Sequence, residues 1–353
     1  MKKLLALSLT VAMVIGLVTG CGSTADESAA TEGTTAAETT EAAAETEAAE
    51  TESAETESAE TQATDGQTYK IGVIQLVEHA ALDASNEGFV AALDDAGISY
   101  EIDQQNAQGD QSACQTISEK LVNDGNDLIL AIATPAAQAV AGATSDIPIL
   151  VTAVTDPADS GLVESNEVPG GNVSGTSDLT PVKEQIELLT KLLPDAKKVG
   201  ILYCSAEANS VLQSDMAEEA CADAGLESEV FTVSSSNEIQ QVVESMVGKV
   251  DAIYCPTDNT IAAGMATVAM VANDNGLPTI CGEEGMVNAG GLATYGIDYY
   301  QLGYMAGEQA VDILVNGADI STMPIGYLSA DRCALATNQE TADALGIDLS
   351  VLD

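Results

Sequence analysis

The chain has 353 residues, with 56 acidic against ten basic side chains, a formal net charge of −46 and one histidine. That balance weighs against nucleic acid as a partner, because phosphate contacts need Lys and Arg. With no Trp and only two Phe, little is offered for stacking on a sugar ring, and the length suits two domains.

Lys2 and Lys3 precede an apolar run, residues 4–18, too short for a comfortable membrane span. Residues 1–21 read as a signal peptide. Val18-Thr19-Gly20-Cys21 resembles a bacterial lipobox, in which the cysteine is lipidated and becomes the mature N-terminus. Residues 22–67 carry 13 acids, no base, no aromatic and no Val, Ile or Leu. Such a tract has no apolar surface to offset chain entropy, so it reads as a disordered acidic tether.

Residues 70–97 open the body with a strand at 71–74, a polar loop holding His79, and a helix from about 81 to 95 that stops at Gly97. The same unit returns 128 residues later. Lys70 falls on Lys198, Gly72 on Gly200, and Asp95-Ala96-Gly97 on Asp223-Ala224-Gly225. Two successive segments opened by one βα design predict two lobes. In the first, strands are predicted at 98–103, 127–133 and 147–154, with helices at 112–123 and 134–143. Thr134 reads as an N-cap and Pro135 as the first helical residue. After a helix at 181–193, the second lobe reads as strands at 199–203, 229–233, 252–255 and 278–281, with helices at 210–224, 237–247 and 260–273. The tail reads as a strand at 292–297, a helix at 300–314, an extended piece at 325–335 and a short helix at 339–345. The fold class is α/β, each lobe a parallel sheet flanked by helices. Lobe 1 is expected to comprise residues 68–180 and 289–320, and lobe 2 residues 181–288 and 321–353.

Ligands of parallel sheets bind outside the carboxyl ends of the strands. In the first lobe those ends fall at residues 75–83, 134–138, 155–156 and 178. In the second they fall at 205–210, 258–260 and 283–284. Hydroxyls and free backbone N–H groups at Thr134, Ser205, Asn209 and Ser210 can hold a carboxylate with no cation present. Asp178, Asp258, Glu283 and Asp298 can offset an ammonium. Together they describe an α-amino acid zwitterion, with Asp258 the first choice for the ammonium, although each such residue reads equally as a helix cap.

His79 reads as a ligand or loop contact rather than a catalyst, because no GxSxG elbow accompanies it. Neither a metal-ligand cluster nor a phosphate loop is present, so no catalytic residue, metal or cofactor is expected. The six cysteines of the body lack CxxC spacing and read as buried thiols.

The segments IGVIQLVEHAALDA, ATPAAQA, VTAVTDPADSGLV, GGNVSGTSD, YCPTDNTIAA and GIDYYQLGYMAG span about residues 70–348. In this order they resemble the substrate-binding lipoproteins of ABC transporters, in the group that includes tryptophan and tyrosine binders. The resemblance implies a two-lobed type I periplasmic-binding fold with three hinge crossings and an amino acid, preferably aromatic, in the cleft. On matching positions it implies ligand contacts at Glu78, His79, Leu82, Thr134, Gln138, Thr155, Ser205, Asn209, Ser210, Asp258 and Asn259. It implies a monomer outside the cell membrane, anchored through Cys21 and serving an ABC permease. Other readings are a branched aliphatic amino acid or purine nucleoside as ligand, or a ligand-sensing receptor component.

Overall fold

The computed structural model describes residues 66–329 and 333–352. The leader, Cys21, most of the acidic tract and Arg332 lie outside the described residues.

Two six-stranded sheets form the body. The first is built from β1 (Thr68–Gln75), β2 (Ser99–Asn106), β3 (Leu128–Ile132), β4 (Ile149–Val154), β5 (Val173–Ser177) and the short β11 (Gly326–Tyr327). Its order is β11-β5-β4-β3-β1-β2, and all its pairs are parallel. The second uses β6 (Lys198–Cys204), β7 (Glu227–Val233), β8 (Ala252–Cys255), β9 (Thr279–Cys281), β10 (Ala293–Gly296) and β12 (Ala334–Thr337), in the order β12-β10-β9-β8-β6-β7. Here β12 runs antiparallel to β10. Every residue of β3 and β4 is buried, as expected for strands covered on both faces, whereas the edge strands β2 and β7 are partly exposed.

The internal repeat is structural. Helix α1 (Ala80–Asp95) and helix α5 (Ala208–Asp223) are offset by 128 residues at both ends. Gly97 and Gly225 follow them with φ of +65° and +74°, the left-handed stop that glycine adopts without strain. Asp127 Oδ2 accepts the N–H of Lys70 at 2.8 Å, and Asp251 Oδ2 accepts that of Lys198 at 2.9 Å. Each aspartate thus aligns its central strand with the next.

Helices α2 (Gln111–Asn123) and α3 (Thr134–Ala143) belong to the first lobe. Helices α4 (Val182–Leu192), α6 (Ile239–Met246), α7 (Asn259–Ala263), α8 (Met265–Asp274) and α9 (Glu284–Asn288) belong to the second. The helix expected at 260–273 is broken into α7 and α8 at Gly264, and α9 was not anticipated. Helix α10 (Tyr299–Leu314) follows β10 but packs on α1 in the first lobe, and α11 (Gln339–Leu345) closes the second. A Cβ on Gly303 would lie 1.8 Å from Ser85 O, and one on Gly88 would lie 2.0 Å from Tyr300 O. The α1 and α10 backbones therefore touch, which only glycine at these positions permits.

The chain passes between lobes three times: after β5, between β10 and α10, and between β11 and β12. The boundaries expected at 289 and 321 both move later. Strand β10 pairs with β9 and so belongs to the second sheet, while β11 pairs with β5 in the first. A strand joins whichever sheet offers a free edge, and neither edge is marked in the tail's composition. Cys114, Cys204, Cys221, Cys255 and Cys281 are buried thiols.

Candidate functional site

The carboxyl ends of the two sheets face each other. Between them His79, Leu82, Ala153, Asp178 and Tyr299 meet Asn209, Thr257, Asp258, Asn259, Ala262 and Glu283 around one cavity. About 10 Å³ of it is open to the centre of a water-sized sphere, room for roughly one water. The lobes are closed in this state, and a solute of amino-acid size requires them to part. A wider groove of about 540 Å³ forms the mouth, between Gln108–Gln111 of the first lobe and Ala206, Glu207 and Ser234–Asn237 of the second.

Among the described residues, three hydrogen bonds span the closed cleft. His79 Nε2 lies 3.2 Å from Asn259 Oδ1, Gln213 Nε2 donates to Thr155 Oγ1 at 3.3 Å, and Gln111 Nε2 donates to the Ala206 carbonyl at 2.8 Å. On the second-lobe wall, Glu207 accepts from the backbone and side chains of both Asn259 and Thr260, at 2.6–3.2 Å. Asn259 is thereby fixed for His79.

Among the described residues no Lys or Arg lines the cavity, whereas three carboxyls do. Burial pushes Asp178 up to about 6. Burial and then the nearby Glu207 charge push Asp258 to about 7, and burial pushes Glu283 to about 7. In each case loss of water around the charged form outweighs the hydrogen bonds that favour it. The imidazole of His79 is lowered by the same desolvation, against the raising effects of Asn259, Glu207 and Asp83.

The carboxyls differ in what remains free. Asp258 Oδ1 accepts the Ile261 N–H at 2.7 Å and Oδ2 the Cys204 N–H at 2.6 Å. Glu283 caps α9 through the N–H groups of Gly285 and Met286. Asp178 takes the hydroxyl of Tyr299 on Oδ2 at 2.7 Å, while its buried Oδ1 has no partner. His79 Nδ1 and Asn209 Oδ1, which belong to residues lining the same cavity, are also buried without partners. Buried polar atoms in folded proteins are nearly always paired, so three such atoms around one cavity make it the candidate site. Asp258, the first choice for an ammonium, is instead committed to two backbone donors.

Of the anticipated residues, the cavity gathers His79, Leu82, Asp178, Asn209, Asp258, Asn259 and Glu283. Thr155 and Ser210 are buried beside it, where Gln213 donates to Thr155 Oγ1 and Asn209 donates to Ser210 Oγ. Thr134 is buried with an unpartnered Oγ1, but it is the first residue of α3 rather than its cap. That cap position belongs to Ala133 with φ of +82°. Four residues fall outside. Glu78 is exposed at the rim. Gln138 is exposed and donates to Ser160 O, and Ser205 is exposed and donates to Val233 O. Asp298 is exposed and caps α10 through the Gln301 N–H. A helix start aims its side chain either into the cleft or along its own first turn, and residue type does not separate the two.

Glu207, Gln213, Thr257 and Tyr299 were missed. Glu207 sits in a loop already marked by its strand end, so its acid was open to notice. Tyr299 carries no local motif, and Gln213 lies inside a helix where no motif flags it. Ala153, with φ of +55°, lies where β4 shifts register against β5. A left-handed alanine costs about 1–2 kcal/mol, and it brings a small side chain to the cavity wall.

A family model described as ABC transporter substrate binding protein matches residues 70–351. The chain is 46% identical over 287 residues to the tyrosine-binding protein of Clostridioides difficile strain R20291, covering 80% of this chain and 82% of that one. Among solved structures, it resembles an ABC domain in complex with L-Trp from Streptococcus pneumonia, at 41% identity and a TM-score of 0.78, with 81% of this chain and 98% of that one covered. It also resembles the ligand-free, open structure of a substrate-binding protein with adhesive properties from Clostridium difficile. There the identity is 45%, coverage 79% and 95%, and the TM-score 0.61. The lower score at higher identity agrees with the closed cleft described above. Among the described residues no helix is long and apolar enough to cross a membrane. With nearly all of its two-lobed body inside the matched span, the chain belongs to the ABC transporter substrate-binding protein family.

Proposed function

We propose that the protein is an extracytoplasmic receptor that takes an aromatic α-amino acid between its lobes and delivers it to an ABC permease. The observation that carries this reading is the bonding state of the cavity: carboxyls with no base beside them among the described residues, and an unpartnered carboxylate oxygen on Asp178. An ammonium satisfies such an oxygen, and neither a neutral sugar nor an anion does so with comparable strength. The names of the relatives, one a tyrosine binder and one holding L-Trp, favour an aromatic side chain over a branched aliphatic one or a nucleoside.

Titration calorimetry with L-tyrosine, L-tryptophan, L-phenylalanine, L-leucine, L-valine and adenosine tests this. An aromatic amino acid should bind most tightly, and at 100 times its dissociation constant it should add about 2.7 kcal/mol of stability. Tightest binding by leucine, valine or adenosine would overturn the aromatic assignment.

The receptor acts as a monomer held to the membrane by lipid on Cys21, with residues 22–67 as its tether. The support is the lipobox-like sequence and the composition of the tract. Cys21→Ala should release the protein to the medium or leave the precursor uncut. A wild-type mature N-terminus downstream of Cys21 would refute the anchor.

A further inference from the structure

Asp178 and Tyr299 stand on different crossings between the lobes. Asp178 directly follows β5, where the chain leaves the first lobe for α4. Tyr299 is the first residue of α10, separated by two residues from the end of β10 in the second lobe. Their hydroxyl–carboxylate bond of 2.7 Å therefore ties two crossings together inside the ligand cavity. Both side chains are buried, at 4% and 7% exposure. The bond occupies one carboxylate oxygen and leaves the other, Oδ1, buried and unpartnered.

We propose that Tyr299 is a positioning residue for ligand recognition: its hydroxyl holds Asp178 on Oδ2 so that Oδ1 is presented to the ligand's ammonium. This rests on the amino-acid reading above and deepens it. A carboxylate can rotate about its terminal bond, so one fixed oxygen fixes the other. The hydroxyl is also a donor, and a donor favours the ionised carboxylate that an ammonium needs. The other titratable groups around this cavity are Glu283 from the loop before α9, Asp258 from the loop before α7 and His79 from the loop before α1. None of them is a fixed cation that could replace the hydroxyl. Burial has already pushed the Asp178 carboxyl up to about 6, so removal of the Tyr299 donor moves it higher still.

The test is titration calorimetry of wild type, Tyr299→Phe, Asp178→Asn and the double variant with L-tyrosine and L-tryptophan, from pH 5 to 8. Tyr299→Phe keeps the ring and loses only the hydroxyl. It should weaken binding about ten- to a hundredfold at pH 7. The pH below which affinity declines should also rise relative to wild type. In the Asp178→Asn background the same change should add little, because the oxygen being positioned no longer carries the charge. Equal affinity and an unshifted pH profile in Tyr299→Phe, or losses that simply add in the double variant, would overturn the positioning role while the amino-acid reading stands. Absence of binding of either amino acid to wild type would instead sink that reading and the proposal with it. If Tyr299→Phe melts well below wild type, the pH profile of the folded fraction still separates the outcomes, since a purely structural loss does not move it.

Discussion

His79 Nε2 stands 3.2 Å from Asn259 Oδ1 across the cleft, and the Asn259 amide donates on to Glu207 Oε2 at 2.6 Å. Because an amide oxygen can only accept, Nε2 carries the proton in this arrangement and Nδ1 is left as an acceptor. The histidine thus bridges the lobes with one nitrogen, and its other nitrogen is buried without a partner.

His79→Ala should therefore loosen closure without harming either lobe. The lost bond is worth about 1 kcal/mol, or roughly a fivefold weaker complex, more if Nδ1 also meets the ligand. Small-angle scattering of the ligand-free variant should shift toward a more extended particle. Unchanged affinity and an unchanged scattering profile would show that the latch carries no weight.

Asp258 and Asp178 should respond in opposite ways to the same change. Asp258→Asn turns an amide NH₂ toward a backbone N–H that now lacks its acceptor, so the fold should lose about 1–3 kcal/mol. Asp178→Asn retains an acceptor for Tyr299 and removes a buried charge, so the melting temperature should hold or rise. Its ligand affinity should fall on the order of 10²- to 10³-fold, through an ammonium left unpaired in a closed site. Melting curves and calorimetry on both proteins decide. A large affinity loss in Asp258→Asn with normal melting would return the ammonium to Asp258.

Acidity should move stability and affinity in opposite directions. Asp178, Asp258 and Glu283 are raised in the fold to about 6, 7 and 7. Between their unfolded values and these, the native state holds protons that the unfolded state has lost. Unfolding free energy then falls as pH rises through this window. His79, lowered in the fold, opposes this below its ordinary value, as one group against three. The ligand-free protein should melt higher at pH 5 than at pH 8, while an ammonium ligand, which needs Asp178 ionised, should bind more tightly at pH 8. A melting temperature that climbs from pH 5 to 8 without ligand would contradict the buried-carboxyl account.

The βα repeat was legible because the offset of 128 is kept by local signals: a leading lysine, a glycine in the strand and an Asp-Ala-Gly stop. The strand ends also pointed to loops that line the cavity, through His79, Asp178, Asn209, Asp258 and Glu283. Orientation within those loops was not legible. Asp258 and Asp178 both follow buried strands, but only the folded chain shows that Cys204 and Ile261 take both oxygens of the former. Tyr299 escaped notice because its partner is 121 residues away, beyond any local pattern. The tail was misassigned between lobes because strand pairing depends on which edge is vacant, a property of the assembled sheets.

Gly88, Gly303 and Gly307 leave no side chain to cushion α10 against α1, so the helix rides with the first lobe as a rigid lever. Bending at that crossing is left to Ile297 and Asp298, which places Tyr299 and Asp178 at the fulcrum. The Gln111–Ala206 bond sits at the mouth, farther out, where a small turn produces the largest displacement. The carboxylate should scarcely move as the lobes swing, and a solute should dock on it before the mouth shuts. A Gln111→Trp reporter, in a chain with no other tryptophan, should show a closing phase whose rate levels off as ligand concentration rises. A rate that stays proportional to concentration would mean that docking and closing are one event.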